Sequence, residues 1–422
     1  MVRLFLSIPV RCLLLFLICH KLNADHDPIL SDWRNAFIKC VREESLSPNL
    51  MLRNLSLFSI SIHDTLNLLS PRYQTYHKHD ITPPNPFCVK SAISGCGWTL
   101  GKNLHPARLR NFDSISIKGR SIDENQTVFE SFQFGRKVAK NILESRGGDG
   151  ASTTISYLAR KSPGLWRRTP NFYRPPEQPH WRKVSLWALP NIDKFLPPDP
   201  PKPDSMIFRD ALREVKELGG IQSQRRTKEQ TFIARFWKDF TYSQTPPGHW
   251  NEIATFVAKK QNFSLWEEGQ LFALMNTAMA DAGVVAWECK YRHHLWRPIH
   301  AIRLADEYDI TRKLHNPGWE PLLETPSHPE YVSAHSCYSG AASRILQEIL
   351  GTDNFRFRAR SDQFPNQSRT FRSFSSCIKE ISESRLFGGI HYRFSCDAGL
   401  VAGQKIGSFV FENSLKNLAS LP

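Results

Sequence analysis

Between residues 161 and 203 the chain places 11 of its 28 prolines. No helix or interior strand runs through that density, because each proline fixes φ and removes a backbone donor. The segment must be extended, and five aromatics within it, Trp166, Phe172, Tyr173, Trp181 and Trp187, favour wrapping over a core rather than swinging as a free linker. It divides the sequence into an N-terminal helical region, 25–160, and a C-terminal helical region, 205–422, joined by the proline-rich connection 161–204.

Around this segment the apolar spacing is helical. Residues 31–69 read as two antiparallel helices broken near Ser47-Pro48, and 128–145 as an amphipathic helix ended by Gly147-Gly148-Asp149-Gly150. Residues 70–127, with clustered Pro and Gly and little periodicity, read as loops with short helices. Beyond the prolines, 205–218, 228–237, 250–260, 266–294, 333–350, 374–386 and 394–413 are each periodic, and Pro246-Pro247-Gly248 is a stop and restart just before the third. Strand alternation is almost absent. The predicted fold is all-α, helical bundles packed around one buried oxyanion site with the proline-rich segment wrapped over them.

Residues 1–24 have the form of a secretory leader. Arg3 and Arg11 precede the apolar run Cys12 to Cys19, and Leu22-Asn23-Ala24 is a cleavage site. A short membrane anchor is the alternative, but no later stretch reaches the roughly 18 apolar residues of a span. The expected product is exported, with no membrane span after cleavage. Sequons at Asn54, Asn125, Asn262 and Asn366 fit a glycoprotein. Removing the leader takes nine cysteines to seven, an odd number, with Cys88–Cys96 and Cys377–Cys396 as candidate bridges. No cysteine pair has zinc-site spacing. The net charge of +15 falls to +12 without Arg3, Arg11 and Lys21, since no acid precedes Asp25. Such a balance attracts anions, but no nucleic-acid motif is present and the basic residues read as scattered rather than gathered into a stripe.

Three stretches carry the chemistry. Lys290 and Arg297 are seven apart, which on a continuous helix sets both cations on one face, within roughly 20°. Ser333-Ala334-His335 opens a helical run after Pro326 and Pro329; a helix start offers free N–H groups to an oxyanion, Ser333 adds a hydroxyl, and His335 moves protons near neutral pH. Arg385 precedes His391 by six residues, with Gly388-Gly389 between them able to redirect a helix. Each alone has a plain reading: a solvated basic face, a helix cap, a core histidine. Their joint occurrence, in this order and at helix ends, points to one pocket for an anion that also takes a nitrogen ligand or nucleophile.

With these motifs the chain resembles the vanadium-dependent haloperoxidase family, within the superfamily that includes acid phosphatases. The resemblance covers roughly residues 30–412. It includes Trp33-Arg34-Asn35, Pro179-His180-Trp181, the run from Ala234 to Trp237 and that from Thr245 to Asn251, besides the three stretches. It implies vanadate as cofactor, with hydrogen peroxide and halide as substrates. Lys290, Arg297 and Arg385 would neutralise the vanadate oxygens, Ser333 and the Ala334 N–H would hydrogen-bond to them, His391 would ligate the metal, and His335 would be the acid–base group. His328, five residues before Ser333, matches a position where histidine accompanies bromide- and iodide-oxidising members. Ala334 stands where Gly is usual, Val332 where Pro is usual, and Ser395 where the phosphatases carry an Asp that orients their nucleophilic histidine. That last difference weighs against the alternative of a soluble acid phosphatase; a catalytically silent secreted glycoprotein is the third reading.

Overall fold

The computed structural model describes residues 28–119, 126–159, 162–239 and 242–420. The expected leader and the sequon at Asn125 lie outside the described residues. Among those described, the regular elements are helices apart from one two-stranded hairpin and isolated bridges, so the all-α architecture expected from periodicity holds.

The first two helices are α1 (Ile29–Glu44) and α2 (Pro48–Leu69), separated where Ser47 caps α2 and Pro48 occupies its first turn. Next come α3 (Val89–Leu104), α4 (Leu109–Gly119) and α5 (Gln126–Ser145). Helix α3 corrects the loop reading of 70–127. Its small residues hid it: Gly95 lies where a Cβ would be 2.0 Å from the Phe132 carbonyl of α5, and Gly135 of α5 meets the Ala92 carbonyl at 1.9 Å. What looks like loop composition is two helices crossing at backbone contact.

The C-terminal region contributes α6 (Met206–Gly219), α7 (Lys228–Phe236), α8 (Thr245–Lys260), α9 (Leu265–His293), α10 (Pro298–Arg303), α11 (Ala334–Leu350), α12 (Phe374–Phe387) and α13 (Arg393–Asn413). Pro246 and Pro247 sit inside the first turn of α8 rather than ahead of it, where the missing N–H groups would have had no helical partner. Helix α9 is buried on every side from Leu271 to Tyr291 and packs on α2, α11 and α13. One apolar core runs from Ile29 to Leu415 through residues of both helical regions.

The proline-rich segment forms short turns and extended chain, and it is tied down by specific bonds. The Asp281 carboxylate of α9 accepts from the backbone N–H groups of Trp187, Ala188 and Leu189 at 2.7–2.9 Å. Arg146 donates to the Ser185 and Leu186 carbonyls and covers the Trp187 ring at 3.8 Å. Leu165 bridges to Leu295.

Three other expectations change. The hairpin β1 (Phe357–Ser361) and β2 (Phe364–Phe371) is antiparallel, and its signal was the alternation Phe355-Arg-Phe-Arg-Ala-Arg-Ser361. All seven described cysteines are free thiols, so neither Cys88–Cys96 nor Cys377–Cys396 forms a bridge. Asn54 is buried inside α2 with its amide at 3.2 Å from His105 Nε2, which closes that sequon in the folded chain, whereas Asn262 and Asn366 are exposed. No helix among the described residues is long and apolar enough to cross a membrane.

Candidate functional site

The three stretches converge, though not as the spacing implied. Lys290 lies in the last turn of α9, which ends at His293; His294 takes left-handed backbone (φ 53°), and Arg297 caps α10. The two cations therefore meet across a chain reversal and not along one helix face. Trp296 N–H donates to the Gly164 carbonyl and the His294 carbonyl accepts from Trp166 N–H, so the wrapping segment holds this reversal open.

Ser333 caps α11 with Ala334 as its first residue. Ser333 Oγ accepts from the Ser336 hydroxyl at 3.1 Å, which leaves the Ser333 O–H free to donate. Arg385 ends α12, and the Gly388-Gly389 pair turns the chain toward His391 and α13. Gly389 has φ 76° and packs where a Cβ would lie 2.4 Å from the Gly219 carbonyl, a conformation and a space that admit only glycine.

All the expected site residues are buried or nearly so: Lys290, Arg297 and Ser333 at 0%, Arg385 at 1%, His391 at 3%, and His328 and Ala334 at 7%. His335 is partly open, its side chain 16% exposed. The site is an inward-facing cluster with His335 as its most accessible member. The Arg297 guanidinium donates to the His328 and Ile390 carbonyls at 2.9 and 2.7 Å and to His391 Nε2 at 3.1 Å. Burial lowers both Arg297 and Arg385 to about 10, with Glu330 opposing the fall at Arg297 and Asp239 at Arg385. The Lys290 ammonium donates to the carbonyls of Pro329, Glu330 and Val332. Its three donors are thus engaged with backbone, and it contributes charge to the pocket rather than a free N–H.

The tautomer of His391 follows from its neighbours. A guanidinium only donates, so Nε2 facing Arg297 carries the lone pair, and Nδ1–H donates to Glu330 Oε1 at 2.8 Å. Burial, then Arg297, Lys290, Arg385 and His328, hold the imidazole well below its usual pKa, so Nε2 stays a neutral, ligating nitrogen. Glu330 was not singled out from the sequence. Its Oε1 also accepts from Tyr392 N–H at 3.0 Å, and burial raises its carboxyl to about 7 despite Arg297 and Lys290. Ser395 faces the same carboxylate without reaching hydrogen-bond geometry, so that Ser395 Oγ and Glu330 Oε2 are both buried and unpaired. Glu330 thus supplies a carboxylate to His391 Nδ1 although Ser395 carries none.

A second carboxylate, Asp239, was also missed. Its Oδ2 lies 3.0 Å from His249 Nδ1 and 3.9 Å from His335 Nε2. Two residues earlier, the Trp237 carbonyl accepts from Arg385. The visible signal was the Trp237-Lys238-Asp239 sequence just ahead of Thr245 to Asn251. His335 is held well below its usual pKa by burial and then by Arg385, His249, Lys290 and Arg297. His328 is buried; its Nδ1 is 3.0 Å from Arg297 Nη2 and its ring 5.2 Å from that of Trp287.

Lys290, Arg297 and Arg385 thus face the Glu330 and Asp239 carboxylates, with Glu177 a third acid whose charge reaches Lys290 and Arg297; burial, then Arg297, hold Lys290 well below its usual pKa. Arg385 Nε and His335 Nε2 are buried without hydrogen-bond partners. Buried cations with an unused N–H on Arg385 and a free hydroxyl on Ser333 fit a multiply charged oxyanion, and the lone pair of His391 Nε2 fits a metal that takes nitrogen.

Comparison with known proteins agrees. Residues 270–419 match the family model described as the VCPO second helical-bundle domain. The vanadium chloroperoxidase of Curvularia inaequalis is 25% identical over 292 residues, 54% of this chain and 47% of that protein, so the match spans about half the relative's length. A solved structure described as the first bacterial vanadium-dependent iodoperoxidase superposes with a TM-score of 0.82 at 28% identity, covering 92% of this chain and 97% of that one. A holo-type bacterial vanadium-dependent chloroperoxidase shares the fold, with a TM-score of 0.70 at 14% identity over 87% and 94% of the two chains. Sequence motifs, buried site, the matched domain model and the neighbours together support the vanadium-dependent haloperoxidase family for this chain.

Proposed function

We propose that this chain is an exported, vanadate-dependent haloperoxidase that oxidises halide with hydrogen peroxide, favouring bromide and iodide. The observation that carries the reading is the buried cluster of Lys290, Arg297 and Arg385 around a His391 whose Nε2 is unprotonated. Arg297 and Arg385 would hold the vanadate oxygens with Ser333 O–H and the Ala334 N–H at the helix start, Lys290 would add charge, and His391 Nε2 would ligate the metal. Bound vanadate supplies a Lewis acid that activates peroxide without changing oxidation state. His335 is neutral and its Nε2 has no partner, so it can accept a proton from incoming hydrogen peroxide and return one to the leaving oxygen. The surrounding burial excludes bulk water and keeps the charges unscreened.

The test is reconstitution with orthovanadate, followed by parallel assays of peroxide-dependent halide oxidation and phosphate-ester hydrolysis. Halide oxidation that requires vanadate is expected; ester hydrolysis without it would overturn the reading. Phosphoryl transfer keeps one point in its favour, the Glu330–His391 pair, but the relatives matched are haloperoxidases. For halide range, His328 places an imidazole against Arg297 where a phenyl ring could accept no hydrogen bond. His328→Phe should change the ratio of bromide to chloride turnover and the pH optimum; identical halide profiles and optima in mutant and parent would remove His328 from the mechanism.

A further inference from the structure

The basic residues are not all scattered. Strand β1 buries Phe357, Ala359 and Ser361 and exposes Arg358 and Arg360. Arg356, also exposed, precedes the strand in the same phase. Phe357 pairs with Phe371, so the exposed Arg372 follows β2 beside Arg356. The cross-strand partners of Arg358 and Arg360 are Thr370 and Ser368. One face of the hairpin is therefore four arginines and two hydroxyls. Same-face residues on a strand are roughly 6.7 Å apart, so Arg356 to Arg360 extends about 13 Å.

Little on the molecule answers this charge. Arg360 has a long ion pair with Glu252, 3.8 Å, and among the described residues Arg356, Arg358 and Arg372 have none. The face is also firmly backed. Phe357 and Phe371 pack beneath it, Ser361 Oγ donates to the Phe236 carbonyl, and the Arg360 carbonyl accepts from His249 Nε2 at 2.6 Å. A firmly backed row of guanidiniums, three of the four without an ion pair among the described residues, is preorganised for a linear polyanion.

We propose that this face docks an extended sulfated or carboxylated polysaccharide. Each guanidinium can grip a sulfate or carboxylate through two parallel N–H bonds, and Ser368 and Thr370 can bond to sugar hydroxyls. The face has no aromatic ring on which bases could stack, as single-stranded nucleic acid requires, and no apolar side chain to enter a bilayer. Charge complementarity with strand spacing selects a polymer rather than a single small anion. The inference is independent of the haloperoxidase reading, because none of these side chains belongs to that site.

The test uses the full chain on immobilised dextran sulfate, with the salt needed for elution as readout. One variant combines Arg356→Thr, Arg358→Thr and Arg372→Thr; a second, Lys137→Gln, Lys140→Gln and Lys405→Gln, removes the same charge from exposed sites elsewhere. The hairpin variant should elute at clearly lower salt and bind soluble dextran sulfate about tenfold or more weakly, while the lysine variant stays close to the parent. Arg358→Thr alone should shift elution in the same direction, which keeps the test decisive should the triple variant fail to fold. Equal elution of the two triple variants, or an unchanged Arg358→Thr, would overturn the proposal. So would tighter binding of the parent to a single-stranded oligonucleotide or to anionic phospholipid vesicles of matched charge.

Discussion

His391 depends on a residue 61 positions away in sequence. Glu330 accepts its Nδ1–H and so fixes which nitrogen keeps the lone pair. An outer carboxylate of this kind orients a ligand and raises its basicity, and losing it costs roughly 10- to 100-fold in metal affinity. Glu330→Ala should therefore weaken orthovanadate retention by about that factor in equilibrium dialysis. Adding Ser395→Asp, which returns a carboxylate from the residue already facing Glu330, should recover part of it. Unchanged retention in Glu330→Ala would show that the contact is only structural. His335→Ala separates the roles differently: vanadate retention should be spared and turnover should fall by about 100-fold or more. Lys290, Arg297, Ser333, Arg385 and His391 were legible because each sits in a short run whose neighbours repeat the same message. Glu330, Asp239 and His249 were not, because a lone acid or imidazole acquires meaning only from a partner brought up by tertiary folding.

At the scale of elements, long periodic helices were readable to within a few residues, since burial of one stripe leaves a direct mark on sequence. Helix α3 escaped because its message is the absence of side chains at Gly95, matched by Gly135 on the neighbouring helix. Extrapolating helix geometry from Lys290 to Arg297 failed because the reversal at His294 is set by pairing with the wrapping segment. That segment was legible as extended but its anchor was not. Asp281 holds it through three N–H groups, yet burial outweighs those bonds and raises the carboxyl from 3.8 to about 6. The folded state binds this proton more tightly than the unfolded chain, so the contribution is fully present below pH 3.8 and is lost as pH rises through about 6. Stability should decline with pH across that window by a few kcal/mol at most. Asp281→Asn should flatten that part of the profile in denaturant titrations at successive pH values. An undiminished slope would mean that the three N–H bonds, not burial, govern the group.

For the molecule as a whole, one apolar core joins both sides of the proline-rich segment, and near its heart lie Lys290, Arg297 and Arg385. Buried like charges without enough partners oppose folding. The structure tolerates them in part because the backbone carbonyls of Pro329, Glu330, Val332, Ile390, His328 and Trp237 accept from all three Lys290 donors, two of Arg297 and one of Arg385. An oxyanion that enters the cluster relieves the remaining repulsion and binds only the folded state. Thermal stability should therefore rise with orthovanadate, and less with phosphate if His391 adds a bond that phosphate cannot form. Saturation at 100 times the dissociation constant corresponds to about 2.7 kcal/mol. Because the core is continuous, the whole unfolding transition should move as one. Arg385→Met removes a buried cation whose Nε has no partner and replaces it with a flexible apolar side chain. The variant should melt at or above the parent's temperature without anion and lose most of the anion-induced rise. A variant that is less stable yet keeps the full response would place Arg385 in the scaffold rather than in the anion pocket.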